Sequence, residues 1–207
     1  MNDTTNTLLM KKTSKKDFKV LLIYPSMFMQ TGIPLALASL AGSLKANGIK
    51  VEVFTTYLYT MDGDFDQNEL RADTLHSTIP VDYLEKGIEP HDPEANIFKD
   101  LKKVLKDYQP DLVGMSAVES VFARGISMTE FVKSTVDVPI IAGGVFPTLA
   151  PEIAIQEESI DIICTGEGES ALVELCQKIA AGDDYSKILG LWVKTSNGIV
   201  KNNRRLE

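Results

Sequence analysis

From residue 18 the chain alternates between two hydrophobic patterns. "FKVLLIYP" (18–25) is a nearly continuous apolar run, the pattern of a strand buried on both faces. After "SMFMQTGI", Pro34 stands where a first helical residue belongs. Leu37, Leu40, Ala41 and Leu44 then recur at helical spacing, until Asn47-Gly48 supplies a stop. "KVEVF" (50–54) predicts a second strand. The alternation resumes with "IFKDLKKVLKDY" (97–108), an amphipathic helix ended by Pro110. "DLVGMSA" (111–117) is a strand, and "ARGISMTEFVKSTV" (123–136) a helix with Ile126, Phe131 and Val132 as its apolar face. "VPIIAGG" (138–144) is a strand and "PTLAPEIAIQEE" (147–158) a short helix. "DIICTG" (161–166) is the fifth strand and "ESALVELCQKIAAG" (169–182) the fifth helix.

Strands alternating with helices give an α/β fold, a five-stranded parallel sheet with helices on both faces. A flavodoxin-like or Rossmann-like order 2-1-3-4-5 is the natural arrangement for five such units. Two segments break the rhythm. Residues 55–96 form a connection rich in Asp, Thr, Tyr and Pro, too long for an ordinary loop, and expected to cover a cleft or meet a partner. Residues 189–203 read as two short strands about Asn197-Gly198, a hairpin signal. The expected organisation is a flexible tail (1–17), one α/β domain (18–188) and a C-terminal hairpin segment (189–207).

Composition narrows the functional classes. With 207 residues, 44% of them hydrophobic, one good core is expected. A formal charge of −8 argues against nucleic acid or an anionic membrane as the main partner. No run approaches the roughly 18 apolar residues of a membrane span, and the N-terminus lacks the apolar centre of a secretion signal. Cys164 and Cys176 are the two cysteines. They have no metal-ligand spacing and form no disulfide framework, so a cytoplasmic, reducing compartment fits.

In parallel α/β sheets ligands bind outside the carboxyl ends of the strands. That rule gathers "YPSMFMQTGIP", "SAVES", "GGVFPT" and "TGEGES" around one cleft. Each loop also has a plain reading. Gly143-Gly144 makes a tight turn, Ser116 caps backbone groups, and Glu167 and Glu169 complement a helix dipole. Familiar chemistries fail the test. The phosphate-loop pattern G-x-x-x-x-G-K-[ST] and the dinucleotide pattern G-x-G-x-x-G after the first strand are both absent. A phospho-receiver wants an aspartate where this chain has Ser116. His76 and His91 lie in the irregular connection with no nucleophile motif beside them. In "TGEGE", the two glycines permit close backbone approach, while Glu167 and Glu169 would repel a pyrophosphate. No residue is assigned a catalytic role, and none a metal.

Taken together, "FKVLLIYPS", "PDLVGMSAVES", "PIIAGGVFPT" and "DIICTGEGESALVEL" resemble the N-terminal cobalamin (vitamin B12)-binding domain of cobalamin-dependent radical S-adenosylmethionine enzymes. The resemblance spans about residues 18–205. It implies that cobalamin sits at the carboxyl edge of the sheet with its nucleotide tail inserted into the fold. The first loop, with Tyr24, Pro25, Ser26 and Gly32, would then lie under the corrin. Ser116, Ala117, Val118 and Glu119, with Gly143, Gly144, Val145, Phe146 and Pro147, would line the tail. Thr165, Gly166, Glu167, Gly168 and Glu169 would flank it. A corrin edged with amide donors accepts the carboxylates that a pyrophosphate would not.

Two departures from similar proteins shape the expected function. The C-x-x-x-C-x-x-C motif that holds a 4Fe-4S cluster in the family's catalytic barrel does not occur in this sequence. S-adenosylmethionine and the cluster are therefore expected only in a catalytic domain outside this chain, encoded in the same gene or supplied as a separate chain. Related methyltransferase and mutase modules carry D-x-H-x-x-G after the first strand; "YPSMFMQTGIP" has neither the Asp nor the His. Cobalamin is accordingly expected base-off, with no protein histidine on cobalt. The leading reading is a cobalamin-binding domain serving radical methyl transfer to an unactivated carbon. Its rivals are a stand-alone corrinoid sensor and a non-cobalamin nucleotide-sugar-binding α/β module.

Overall fold

The computed structural model describes residues 17–26, 34–57, 59 and 96–205. Gly32, His76, His91, the first sixteen residues and nearly all of the 55–96 connection lie outside the described residues. In chain order the elements are β1 (Lys19–Tyr24), α1 (Leu35–Ala46), β2 (Lys50–Thr55), α2 (Ile97–Tyr108) and β3 (Leu112–Ser116). There follow α3 (Glu119–Thr135), β4 (Ile140–Gly143), α4 (Val145–Leu149), α5 (Pro151–Ala154) and β5 (Ile162–Cys164). The last three are α6 (Glu169–Ala181), β6 (Leu191–Thr195) and β7 (Gly198–Lys201).

One sheet runs β2-β1-β3-β4-β5-β6-β7. The first five strands are parallel in the expected 2-1-3-4-5 order. The hairpin does not stand apart from this sheet: β6 pairs antiparallel with β5, and β7 with β6. Ser196 and Asn197 form its turn, one residue earlier than the sequence reading, and Gly198 opens β7 at φ +112°.

Alternation along the strands sends side chains to two cores. Val20, Leu22, Leu112, Ile141 and Cys164 pack with Leu37 and Leu44 of α1 and Leu172 and Leu175 of α6. Leu21, Ile23, Val113, Met115 and Ala142 pack with Leu101 and Leu105 of α2 and Val121, Ile126 and Val132 of α3. Helix α2 starts on Asn96, whose side chain accepts from the amides of Phe98 and Lys99, and it ends at Gln109 in a left-handed conformation before Pro110. At the amino edge of the sheet, the Asp161 carboxylate accepts from Lys133 Nζ at 2.6 Å and from the Ile140 amide at 2.7 Å.

Two helix boundaries differ from the sequence pattern. Helix α3 begins at Glu119 rather than Ala123, so the loop after β3 shrinks to Ala117 and Val118. The single helix over 147–158 is instead α4 and α5, joined at Ala150 with φ −128° and ψ 55°. Pro151 supplies the reason: its ring disfavours helical geometry in the preceding residue, and it starts the next helix without needing an amide partner.

Candidate functional site

Strands β1, β3, β4 and β5 end side by side at Tyr24, Ser116, Gly143 and Cys164. Between these ends and the helices α1 and α6 lies a groove of about 360 Å³. Its floor is Leu22, Gly114, Ile141 and Cys164, and its walls are Leu37 and Leu40 of α1 and Leu172 of α6. At the mouth stand Ser116, Gly143, Gly144, Val145 and Thr148, facing Gly166, Glu167, Gly168 and Glu169.

Small residues create this space. In the middle of β3, a Cβ on Gly114 would lie 2.9 Å from Leu22 Cδ2, so a glycine there lets the Leu22 side chain lean across the floor. A Cβ on Gly143 would make only an ordinary 3.6 Å contact with Cys164 Cβ. Gly144 differs. It has φ +98°, and a Cβ would sit 2.8 Å from the Ala117 carbonyl oxygen, so this position belongs to glycine on both counts. The close approach lets the Phe146 amide donate to Ala117 O and the Ala117 amide to Gly143 O.

The loop after β5 is tied to its surroundings. Gly166, also at φ +98°, donates its amide to Thr148 Oγ1 at 3.0 Å. Ser39 of α1 donates to Glu169 Oε1 at 2.6 Å, bridging the two helices that wall the groove. Arg204 Nη2 donates to the Thr148 carbonyl at 2.9 Å. No Lys or Arg is among the lining residues of the groove; Glu167 and Glu169 are the charged residues that line its mouth, and Arg204 stands beside it on Thr148.

The predicted site residues separate into those at the groove and those beside it. Ser116, Gly143, Gly144, Val145, Gly166, Glu167, Gly168 and Glu169 come together around the mouth. Thr165 is buried, but its hydroxyl and amide both donate to Gly190 O, towards the hairpin. Phe146 turns to the other side of the sheet and packs on Phe122, with ring centroids 4.4 Å apart. Pro147 is buried, while Val118 and Glu119 are exposed at the start of α3. Tyr24 packs with the α1 core, and Pro25 and Ser26 are buried at the root of the first loop. There the Ser26 amide donates to Thr56 Oγ1, and its carbonyl accepts from Thr56 Oγ1 and from Arg124. The Ser26 hydroxyl is buried with no hydrogen-bond partner among the described residues.

The floor and walls were not singled out in the sequence, where Leu22, Leu40, Ile141 and Leu172 read as ordinary core. Their one signal is place: each lies near the carboxyl end of its strand, or on the helix turns opposite. Chemically the groove offers apolar surface with hydroxyls and carboxylates at its mouth. No group of three His, Cys, Asp or Glu able to hold a metal occurs among the described residues. No helix among them is long and apolar enough to cross a membrane.

Known proteins resemble this chain in sequence and in fold. An uncharacterised methyltransferase of Pyrococcus horikoshii is 34% identical over 107 residues, which cover 51% of this chain and 23% of that protein. The structure of TsrM, a radical S-adenosylmethionine methyltransferase from Kitasatospora setae with cobalamin and a [4Fe-4S] cluster bound, superposes with a TM-score of 0.65. That match has 21% identity and covers 91% of this chain and 29% of TsrM. OxsB, a cobalamin-dependent S-adenosylmethionine radical enzyme with aqua-cobalamin and S-adenosylmethionine bound, gives a TM-score of 0.63 at 18% identity, over 91% of this chain and 22% of OxsB. At these identities the two structures establish a shared fold. The chain spans less than a third of the length of any of these three proteins. Residues 27–176, which include every lining residue of the groove except Leu22 and all but the start of the first loop, match the B12 binding domain family, and the chain belongs to that family.

Proposed function

We propose that this domain holds cobalamin for methyl transfer carried out with a radical S-adenosylmethionine catalytic unit, in the same polypeptide or in a separate chain. The observation that carries the reading is the groove. An apolar slot of about 360 Å³ opens at the carboxyl edge of a parallel sheet, and all its lining residues but Leu22 fall in the segment that matches the B12 binding domain family. Its volume lies at the lower end of the range for small-molecule pockets. That suits a flat aromatic base on a nucleotide tail and is too small for a corrin ring, which belongs outside, over the strand ends.

The residues present fit such a ligand. Leu22, Leu37, Leu40, Ile141 and Leu172 supply apolar surface for the base, and Gly143 and Gly114 keep the slot open. Ser116 and Thr148 place hydroxyls at the mouth, where the polar part of a tail would pass. The Ser26 hydroxyl, without a hydrogen-bond partner among the described residues, stands at the root of the first loop. Glu167 and Glu169 are available to the amide groups on a corrin's edge. When bound, cobalamin supplies a carrier for the methyl group, and the protein's share is placement and exclusion of water. The methyltransferase relative and the two enzymes of the same fold support this reading, and the buried Cys164 and Cys176, which form no disulfide, suit a reducing cytoplasm. The binding is proposed to be base-off, with no protein histidine on cobalt, because "YPSMFMQTGIP" contains none.

The purified chain is to be mixed with hydroxocobalamin and desalted. Retained corrin absorbance is the expected result. A colourless protein that circular dichroism shows to be folded would overturn the reading.

A further inference from the structure

Beyond β7 the chain continues beside the start of β6, where the Asn202 amide donates to Leu191 O. The Gly190 amide donates to Asn203 O at 2.8 Å, and Asn202 Nδ2 donates to Leu191 O at 2.7 Å and to Ser186 O at 2.9 Å. Arg205 pairs with Glu174. These ties fix the residues on either side of Arg204, whose exposed side chain arrives at the mouth of the groove. Its Nη2 donates to Thr148 O at 2.9 Å, and its Cδ lies 4.0 Å from where a Gly166 Cβ would project. No carboxylate among the described residues forms an ion pair with Arg204, although Glu167 and Glu169 stand on the same rim. A guanidinium offers five N–H donors in a planar fork, and the bond to Thr148 uses one.

This position answers a difficulty in the groove itself. A nucleotide tail carries a phosphodiester with one negative charge, and a slot with apolar walls and two carboxylates at its mouth would reject it. A cation at the same mouth reverses that balance, and a guanidinium suits phosphate oxygens better than an ammonium. Gly166, without a side chain, leaves the gap between Arg204 and the slot open.

We propose that Arg204 holds the phosphodiester of cobalamin's nucleotide tail, making the domain selective for corrinoids that carry the nucleotide. The inference rests on the cobalamin reading above and adds a residue and a selectivity to it.

The full chain, Arg204→Gln and Arg204→Lys are each titrated with cobalamin and with cobinamide, the corrin that lacks the nucleotide, and binding is followed by absorbance. Arg204→Gln should weaken cobalamin binding by about tenfold or more, the size of a lost charge-assisted hydrogen bond. Its cobinamide affinity should stay within about twofold of the parent's, and Arg204→Lys should recover part of the loss. Added salt should weaken cobalamin binding by the parent more than by Arg204→Gln. Equal losses for both ligands, or no loss for either, would overturn the assignment while leaving the cobalamin reading intact. A parent chain that binds neither ligand would overturn both.

Discussion

Ser39 donates to Glu169 at 2.6 Å, across the seam between α1 and α6, and so links the two helices whose separation sets the width of the groove. Ser39 is exposed, so the bond should stabilise the fold by about 0.5–1 kcal/mol rather than more. Glu169 also begins α6, where a negative charge complements the helix dipole. A double-mutant cycle with Ser39→Ala and Glu169→Ala in urea separates the two effects. The expected outcome is a smaller loss in the double variant than the sum of the singles. Strict additivity would show that the pair contributes nothing to joining the helices.

The two adjacent glycines at the mouth should respond in opposite ways. Gly144→Ala forces a side chain onto a φ of +98° and against the Ala117 carbonyl, and should destabilise the fold by about 2 kcal/mol or more. Gly143→Val meets only an ordinary contact with Cys164, so the fold should survive while the added methyls narrow the slot. Urea midpoints and cobalamin retention together check this. A folded Gly143→Val that binds like the parent would remove that position from the cofactor site. Gly166→Val is a less clean probe, because φ +98° strains any side chain there even though the space is open.

Stability should fall on the alkaline side. Burial pushes the Cys176 thiol from its ordinary 9.0 up to about 12. Tyr108 rises to about 12 through burial and then the nearby Glu52 and Asp111; Tyr59 does so through burial and its bond to Asp100. Each group keeps its proton in the folded chain after the unfolded chain has lost it. The unfolded state therefore binds fewer protons, and stability drops as pH rises from about 9 towards 12. Lys194, pushed down by burial, works the other way, but it is one group against these three and Tyr185, which burial also pushes up. Urea midpoints measured from about pH 8 to 11 should decline, and Cys176→Ala should delay the onset towards the tyrosine range near 10. A midpoint that stays flat over this span would contradict the assignment.

The lower face of cobalt makes a spectroscopic prediction. A histidine ligand needs a neutral imidazole held by a hydrogen-bonded partner, and the first loop offers Ser26, Met27, Phe28, Met29, Gln30 and Thr31 instead. Thioether and phenyl groups are poor donors to cobalt(III). Electron paramagnetic resonance of bound cobalt(II) should lack superhyperfine splitting from nitrogen, and the optical spectrum should be base-off. Nitrogen splitting would mean that His76, His91 or the cofactor's own base occupies the axial position.

Strand and helix identity was legible in the chain because burial imposes different periods on the two. The unbroken run 18–25 became β1, buried on both faces, and Leu37 and Leu44 turned to the sheet as their spacing required. The Gly-rich strand ends also marked the edge at which the groove opens, and only glycine serves the backbone at Gly144. Periodicity names a face, however, and not the neighbour across from it. Leu22, Leu40 and Leu172 have the pattern of core residues, and they line a groove only because of how α1 and α6 pack over the carboxyl edge of the sheet. Thr165 and Phe146 belong to the predicted loops, yet turn towards Gly190 and Phe122. The antiparallel seat of β6 on β5 and the return of Arg204 to Thr148 join residues far apart in sequence. Such contacts follow from the packed arrangement of the whole sheet, because no local propensity specifies a distant partner.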